Sequence, residues 1–458
     1  MDSAERERRS KVAAGLVAAL RAQGVVAVAM TFVDNSGMTR VKAVPLERLS
    51  QAAAWGVGTS TVFDYFRFDD WVAAPLDGTG PVGDLRIIPD VRRVVALSAQ
   101  PGWAWSPGDR YQQSGEPHPR CSRLLLQRQV DELAADGITV KCAYEIEWVV
   151  SHGPGEDFHP AVTGAGYGMA RLVAGSDYCR DVVEALSEQG IEVEQIHPEY
   201  AAGQFEISVA AESPVDAADT AVLARTTIRA VGHQHAFRTS FSPKVDPAGV
   251  GNGGHVHLSL WRDGRNLMAG GDGRHGLTET GGAFSAGILS RLPALLTIGA
   301  PSVVSYLRLV PEHWAGAYAC WGLENREAAM RMVTGTTGST DWAANMEVKC
   351  FDLLANPYLL LSALLAAGSA GIAEGAALPE PVDVDPGALT PESLQEKGIE
   401  RLPTSLRAAL DAFVQDKALR QALGGPLVDS IAAVRESEIE LFATASEDEV
   451  AAAIRWAH

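Results

Sequence analysis

The 458-residue sequence predicts an α+β fold. Three observations lead there. The first hundred residues mix a β-hairpin pattern with short helices. Later segments alternate apolar side chains with acids and imidazoles, the period-two signature of strands with one polar face. Helical patterns separate and follow those strands, one of them the uncharged stretch 353–373.

Val12, Leu16 and Leu20 recur at helical spacing, so residues 7–20 form a helix despite their likeness to a short signal peptide, and no small-residue cleavage site follows. Residues 25–45 read as a hairpin around Asn35-Ser36-Gly37. A helix over 46–54 and a Gly/Thr/Ser loop over 56–61 come next. Gly78-Thr79-Gly80-Pro81-Val82-Gly83 matches the spacing of a dinucleotide loop, but no strand precedes it and Pro81 interrupts it. Ser106-Pro107-Gly108-Asp109 marks a boundary, which divides the chain into domains 1–107 and 108–458.

In the second domain a helix over 122–136 stops at Gly137, and a strand over 138–150 follows. A Gly-rich loop (153–168), helices (178–189 and 216–231) and two strands on either side of Ala201-Ala202-Gly203 complete its first half. A glycine-rich turn then feeds a strand beginning at His255, and Glu347 lies in a further short strand. The 353–373 stretch is long enough to span a bilayer. Asn356-Pro357 starts its helix late, however, and no basic cluster or aromatic belt flanks it, so it reads as a buried helix. A Pro/Asp linker (378–391) and charged helices end the chain.

Composition excludes several classes. A net charge of −19 opposes a phosphate-binding nucleic-acid footprint. The five cysteines, Cys121, Cys142, Cys179, Cys320 and Cys350, are odd in number and scattered, which fits reduced thiols in a cytoplasmic protein and no zinc site.

The chemistry lies on the strands. Glu145 and Glu147 share one face, Glu199 and Glu206 flank a turn with Glu194 upstream, and His255, His257 and Ser259 share another face. Same-face neighbours stand roughly 6–7 Å apart, so such acids repel unless cations sit between them. Hard Mg²⁺ or Mn²⁺ suits these ligands. Arg308, Arg326 and Arg331 carry forks suited to carboxylate or phosphate.

Together these pieces resemble the glutamine synthetase family of type I architecture: Tyr144-Glu145-Ile146-Glu147, 199–206, His255-Val256-His257-Leu258-Ser259, Arg308-Leu309-Val310-Pro311, Glu324-Asn325-Arg326, and Glu347-Val348-Lys349 with Ala355-Asn356-Pro357. The resemblance implies an N-terminal β-grasp domain and a catalytic α/β domain with a curved antiparallel sheet. It implies a dodecamer of two six-membered rings with active sites between subunits. It also implies ATP-dependent activation of the glutamate γ-carboxylate as γ-glutamyl phosphate, attacked by an amine. Two or three Mg²⁺ or Mn²⁺ ions are expected. By motif position, Glu147, Glu199 and Glu206 hold the cation nearer glutamate, and Glu145, His255 and Glu347 the one on ATP. Glu194, His257 and Ser259 contact the nucleotide. Arg308, with Lys349 and Gly253, serves the amino-acid substrate, while Arg326 and Arg331 steady the transferring phosphoryl group.

Two departures bear on specificity. Where the family has an aspartate and a flap glutamate that hold ammonium, this chain has Gly58 and Trp314. Losing both anions removes the attraction for ammonium and leaves an apolar wall. That favours an organic amine, a small monoamine such as ethanolamine first, with a polyamine served by Asp64, Asp69 and Asp70 as the alternative. Glutamine synthesis is the second alternative, with Glu312 standing in for the flap acid; a new carboxylate beside the indole would point there. A non-catalytic scaffold is the third.

Overall fold

A computed structural model describes residues 2–73 and 82–458 of the chain. The glycine-rich loop at 78–83 lies outside the described residues except for Val82 and Gly83.

The helix Ser3–Ala22 leads into strands Ala27–Val33 and Thr39–Pro45, which pair as the expected hairpin, with Gly37 at φ 78° in its turn. The first sheet runs in the order Thr39–Pro45, Ala27–Val33, Trp103–Gln112, Asp84–Pro89, Val57–Ser60. Its central pair, Ala27–Val33 with Trp103–Gln112, is parallel, while the other pairs are antiparallel. Helix Leu49–Trp55 joins the N-terminal helix over a small core that includes Ala13, Leu20, Val28 and Leu49.

Two expectations change here. The Gly/Thr/Ser loop at 56–61 contains the strand Val57–Ser60, because its β-branched residues pair in register with Asp84–Ile87. Ser106–Asp109 is the middle of a ten-residue strand rather than a boundary: Pro107 pairs with Thr31 and Gly108 with Pro89. The first sheet therefore ends at Gln112.

Among the described residues the second sheet has ten strands and nearly closes on itself. Six successive strands build its polar face: Val193–Pro198, Gln204–Val209, Thr139–His152, Gly254–Arg262, Asn345–Val348 and Ala328–Val333. These pair antiparallel. One neighbouring pair, Tyr318–Leu323 with Ala328–Val333, is parallel, so the sheet is mixed at that edge.

Helices Ser122–Ala135, Ser176–Glu188, Pro214–Gln234 and Pro357–Glu374 fall where periodicity places them. Pro357–Glu374 and Glu279–Gly299 are each long and apolar enough to cross a membrane, yet 72% and 78% of their most apolar windows are buried in the fold. The two pack backbone to backbone at Gly287 and Gly371: a Cβ on Gly287 would lie 2.3 Å from the Ala367 carbonyl oxygen. All five cysteines are free and buried.

The helix Gly425–Leu441 ties the two sheets' surroundings together. Arg435 donates to the carbonyl of Thr297 (3.0 Å) and to that of Asn35 in the first hairpin (2.8 Å). The Asn35 amide donates to Ser430 Oγ, and Arg67 donates to Ser437.

Candidate active site

Alternation along each strand separates core from site. Tyr144, Ile146 and Trp148 point into the core, as do Phe205, Ile207, Val256, Leu258, Met346 and Val348. The residues between them, Glu145, Glu147, Glu206, His255, His257 and Glu347, line the opposite face. Register then sets the neighbours. His255 stands opposite Glu145, Glu206 opposite Glu147, and Glu347 opposite both His257 and Arg331. His197 stands opposite Glu206.

The side chains converge. His255 Nδ1 lies 2.5 Å from Glu145 Oε1 and 3.3 Å from Glu347 Oε1, and its Nε2 lies 3.7 Å from Glu147 Oε1. His197 Nε2 lies 3.2 Å from Glu206 Oε1, and its Nδ1 lies 3.9 Å from Glu199 Oε1. Three sets have ligand atoms close enough to share a metal ion: Glu145, His257 and Glu347; Glu145, Glu147 and His255; His197, Glu199 and Glu206. All six expected ligands occur in these sets, but neither expected trio does: Glu147 groups with Glu145 and His255, His197 takes its place beside Glu199 and Glu206, and His257 joins Glu145 and Glu347.

Burial and mutual repulsion shape the charges. Burial, with Glu145 and Glu147 nearby, pushes the Glu206 carboxyl upward, while hydrogen bonding to Glu206 raises His197. Burial and Glu147 raise Glu199. Burial works against ionisation of Glu145 and Glu347 too, but His255 holds Glu145 well below the usual carboxylate range, and Lys349 with His257 holds Glu347 down to about 2. Lys349 Nζ and Arg331 Nη1 each sit 3.1 Å from a Glu347 oxygen.

The backbone leaves room for a cation. A Cβ on Gly253 would lie 2.4 Å from His255 Nε2 and 2.8 Å from both Glu147 Oε1 and Arg308 Nη2, so only glycine fits there without displacing ligands. The Gly253 N–H donates to Glu147 Oε2 at 2.9 Å. Carboxylate oxygens and imidazole nitrogens, gathered where acids raise one another's pKa, fit Mg²⁺ or Mn²⁺. Bound there, a divalent cation screens negative charge and polarises phosphoryl oxygens.

Two cavities meet at this cluster. One of about 360 Å³ is lined by Glu147, Gln204, Gly251, Arg308 and Lys349, among others. The other, of about 1080 Å³, is lined by Glu194, His257, Ser259, Arg331 and Asn345, among others. Glu145, Tyr167, Glu199, Glu206, Trp314 and Arg326 border both. A third chamber of about 520 Å³ also touches Trp314 and Arg326.

Most residues singled out in the sequence are brought together, but Gly58 is not. It lies in the strand Val57–Ser60 and borders none of these three cavities. Asp64, Asp69 and Asp70 are committed elsewhere: Asp64 to Arg110 and His118, Asp69 to Arg67, and Asp70 to Arg40. The expectation that the surroundings of Trp314 lack negative charge is corrected. Glu327 lies beneath it and accepts from the Trp314 backbone N–H at 2.9 Å, and Glu312 borders the smaller cavity.

Sequence reasoning gave no role to Gln204, whose Nε2 donates to Glu147 Oε2 (3.0 Å), the Gly251 carbonyl (3.0 Å) and Asn252 Oδ1 (2.9 Å). Its place between Gly203 and Phe205, on a strand where side chains alternate, was the available signal. Tyr167, at φ 54° in the glycine-rich loop, borders both main cavities, and burial and Glu199 raise its hydroxyl. Nothing in the sequence marked it.

Comparison with known proteins agrees with this geometry. The family model for the glutamine synthetase catalytic domain matches residues 119–452. The chain is 52% identical to gamma-glutamylpolyamine synthetase GlnA3 of Streptomyces coelicolor over 97% of this chain and 96% of that protein. It is 31% identical to the glutamine synthetase of Pyrococcus horikoshii over 87% of this chain and 86% of that one. A crystal structure of a novel glutamine synthase homolog superposes with a TM-score of 0.85 at 33% identity, covering 95% of this chain and 99% of the other. A GmaS/ADP complex superposes with a TM-score of 0.82 at 27% identity, covering 94% and 97%. The chain thus belongs to the glutamine synthetase family, and is an ATP-dependent glutamate ligase that forms a carbon–nitrogen bond.

Proposed function

We propose that the protein joins the γ-carboxylate of glutamate to an organic amine, and that the amine is a polyamine. The carrying observation is Trp314: an indole, 54% exposed, borders all three cavities where a carboxylate would attract ammonium. The sequence alone leaned toward ethanolamine. The 52% identity to a protein named gamma-glutamylpolyamine synthetase supports the longer amine.

In this reading Glu147, Glu199 and Glu206 hold one cation, and Glu145, His255 and Glu347 another. Arg308, Lys349 and Gly253 shape the glutamate site in the smaller cavity. Glu194, His257 and Ser259 face the nucleotide in the larger one, while Arg326 and Arg331 offset charge on the transferring phosphoryl group. Arg308 Nη2 lies 3.1 Å from His255 Nε2, which couples the substrate side to the metal side. Gly58 reaches a site only if a neighbouring subunit supplies its strand, as in two stacked six-membered rings.

A second reading, glutamine synthesis, draws support from Glu312 and Glu327 beside Trp314. Phosphate release with glutamate, ATP and Mg²⁺ separates the two. Turnover with putrescine, spermidine or ethanolamine but not ammonium supports organic-amine ligation, and turnover with ammonium alone overturns it.

A further inference from the structure

The third chamber is a pocket of unusual charge. Glu312, Glu324, Glu327, Asp383 and Asp385 line it, against the single guanidinium of Arg326. Four of these acids are exposed or already engaged: Glu324 pairs with Arg331, and Asp385 Oδ1 accepts from the Gly387 N–H. Glu327 differs. It is only 7% exposed, its Oε1 is taken by the Trp314 N–H, and its buried Oε2 makes no well-formed hydrogen bond, the Glu312 backbone N–H being the other donor near the carboxyl. A buried carboxylate oxygen left unpaired is costly, and one that borders a chamber is suited to a ligand that completes it.

The chamber walls are held in place. Asn325 Nδ2 donates to the carbonyls of Val382 (2.7 Å) and Val384 (3.0 Å), and the Val382 N–H donates to the Trp321 carbonyl (2.8 Å). These bonds pin the segment bearing Asp383 and Asp385 against the turn bearing Glu327. Trp314 and Val384 add exposed apolar surface, 54% and 50%. Acids interleaved with apolar surface match a chain of methylenes that carries cations. Glu327 does not border the smaller cavity, whereas Glu312, Trp314 and Arg326 border both spaces. A ligand held at Glu327 therefore lies on the far side of the indole from the glutamate site.

We infer that this chamber holds the second, non-reacting ammonium group of a di- or polyamine, with Glu327 Oε2 as its principal contact while the other amine faces the activated carboxylate. This rests on the organic-amine reading above. An attacking amine must be unprotonated, whereas the distal one stays charged, so one molecule needs an apolar mouth and an anionic end.

The test compares putrescine with n-butylamine, which has the same carbon chain but lacks the second nitrogen. Wild-type protein should favour putrescine by at least about tenfold in kcat/KM. Glu327→Gln, which keeps the shape and the acceptor for the Trp314 N–H, should collapse that ratio about tenfold, mainly through KM for putrescine. The exposed pair Asp383→Asn/Asp385→Asn should lower the ratio in the same direction and guards against misfolding of the buried variant. Equal losses with both amines, or no wild-type preference, overturn the distal-ammonium site while leaving amine ligation standing. Turnover with ammonium and neither amine overturns the underlying reading instead.

Discussion

The Arg326 guanidinium carbon lies 5.8 Å from the centre of the Trp314 ring, and both side chains border all three cavities. That places a cation, with a weak cation–π contact, where the three cavities meet. Trp314 sits at φ 53° and Glu312 at φ 64°, so the flap is held in a left-handed backbone that L-residues rarely adopt.

Restoring acids at the two altered positions should shift substrate choice. Trp314→Glu combined with Gly58→Asp is expected to raise kcat/KM for ammonium about tenfold, or about 1.4 kcal/mol in the barrier, and to lower it for amines. Gly58 borders none of the three cavities described, so on the proposal that a neighbouring subunit supplies it, its share of the gain should vanish in protein diluted to single subunits. Phosphate release on assembled and dissociated fractions measures both effects.

Glu147 and Glu206 face each other across adjacent strands, and like charges directly opposite destabilise a sheet. Glu206→Gln removes that repulsion, worth about 0.2–1 kcal/mol, together with the opposing His197 contact at 3.2 Å, so the Tm of chelator-treated protein should change little. The same change should weaken Mn²⁺ binding at least about tenfold. Wild-type protein should show the larger gain in Tm when Mg²⁺ or Mn²⁺ is added after chelation. Thermal melts and titration calorimetry check each step.

Gly253→Ala places a methyl within 2.8 Å of three site groups. The backbone there needs no left-handed geometry, so folding should survive while metal affinity and kcat fall about a hundredfold. Circular dichroism beside Mn²⁺ titration distinguishes this from unfolding.

Asp352 supplies a pH signature away from the ligands. Burial, only partly opposed by Ser305 and Arg308, pushes its carboxyl up to about 6 from 3.8. The folded state thus holds this proton more tightly than the unfolded chain. The resulting stabilisation is complete below 3.8 and is lost as pH rises through about 6. Relative to Asp352→Asn, wild-type protein should lose about 3 kcal/mol over that span, read as a widening Tm difference between about pH 4.5 and 7.5.

Much of the site was legible because a strand has period two: once 138–150 and 255–261 are strands, Glu145 with Glu147 and His255 with His257 must share faces. The hairpin at 25–45 and the helix starting at Pro357 were legible from local turn and cap chemistry, since Asn356 caps that helix through Tyr358 and Leu359. What stayed hidden depends on pairing between distant segments. No local pattern says that Pro107 pairs with Thr31, or that Asp64 meets Arg110 and His118 inside the protein. Glu327 read as one more charged residue, because only the turn that returns it beneath Trp314 isolates its second oxygen.

Arg435 reaches both the Thr297 carbonyl beneath the catalytic sheet and the Asn35 carbonyl in the first hairpin. A clasp made by a late helix on the earliest strands means the amino-terminal sheet cannot swing as a loose flap. Its edge strand Val57–Ser60 is then carried by the body of the molecule, like a key cut into it rather than hung from it.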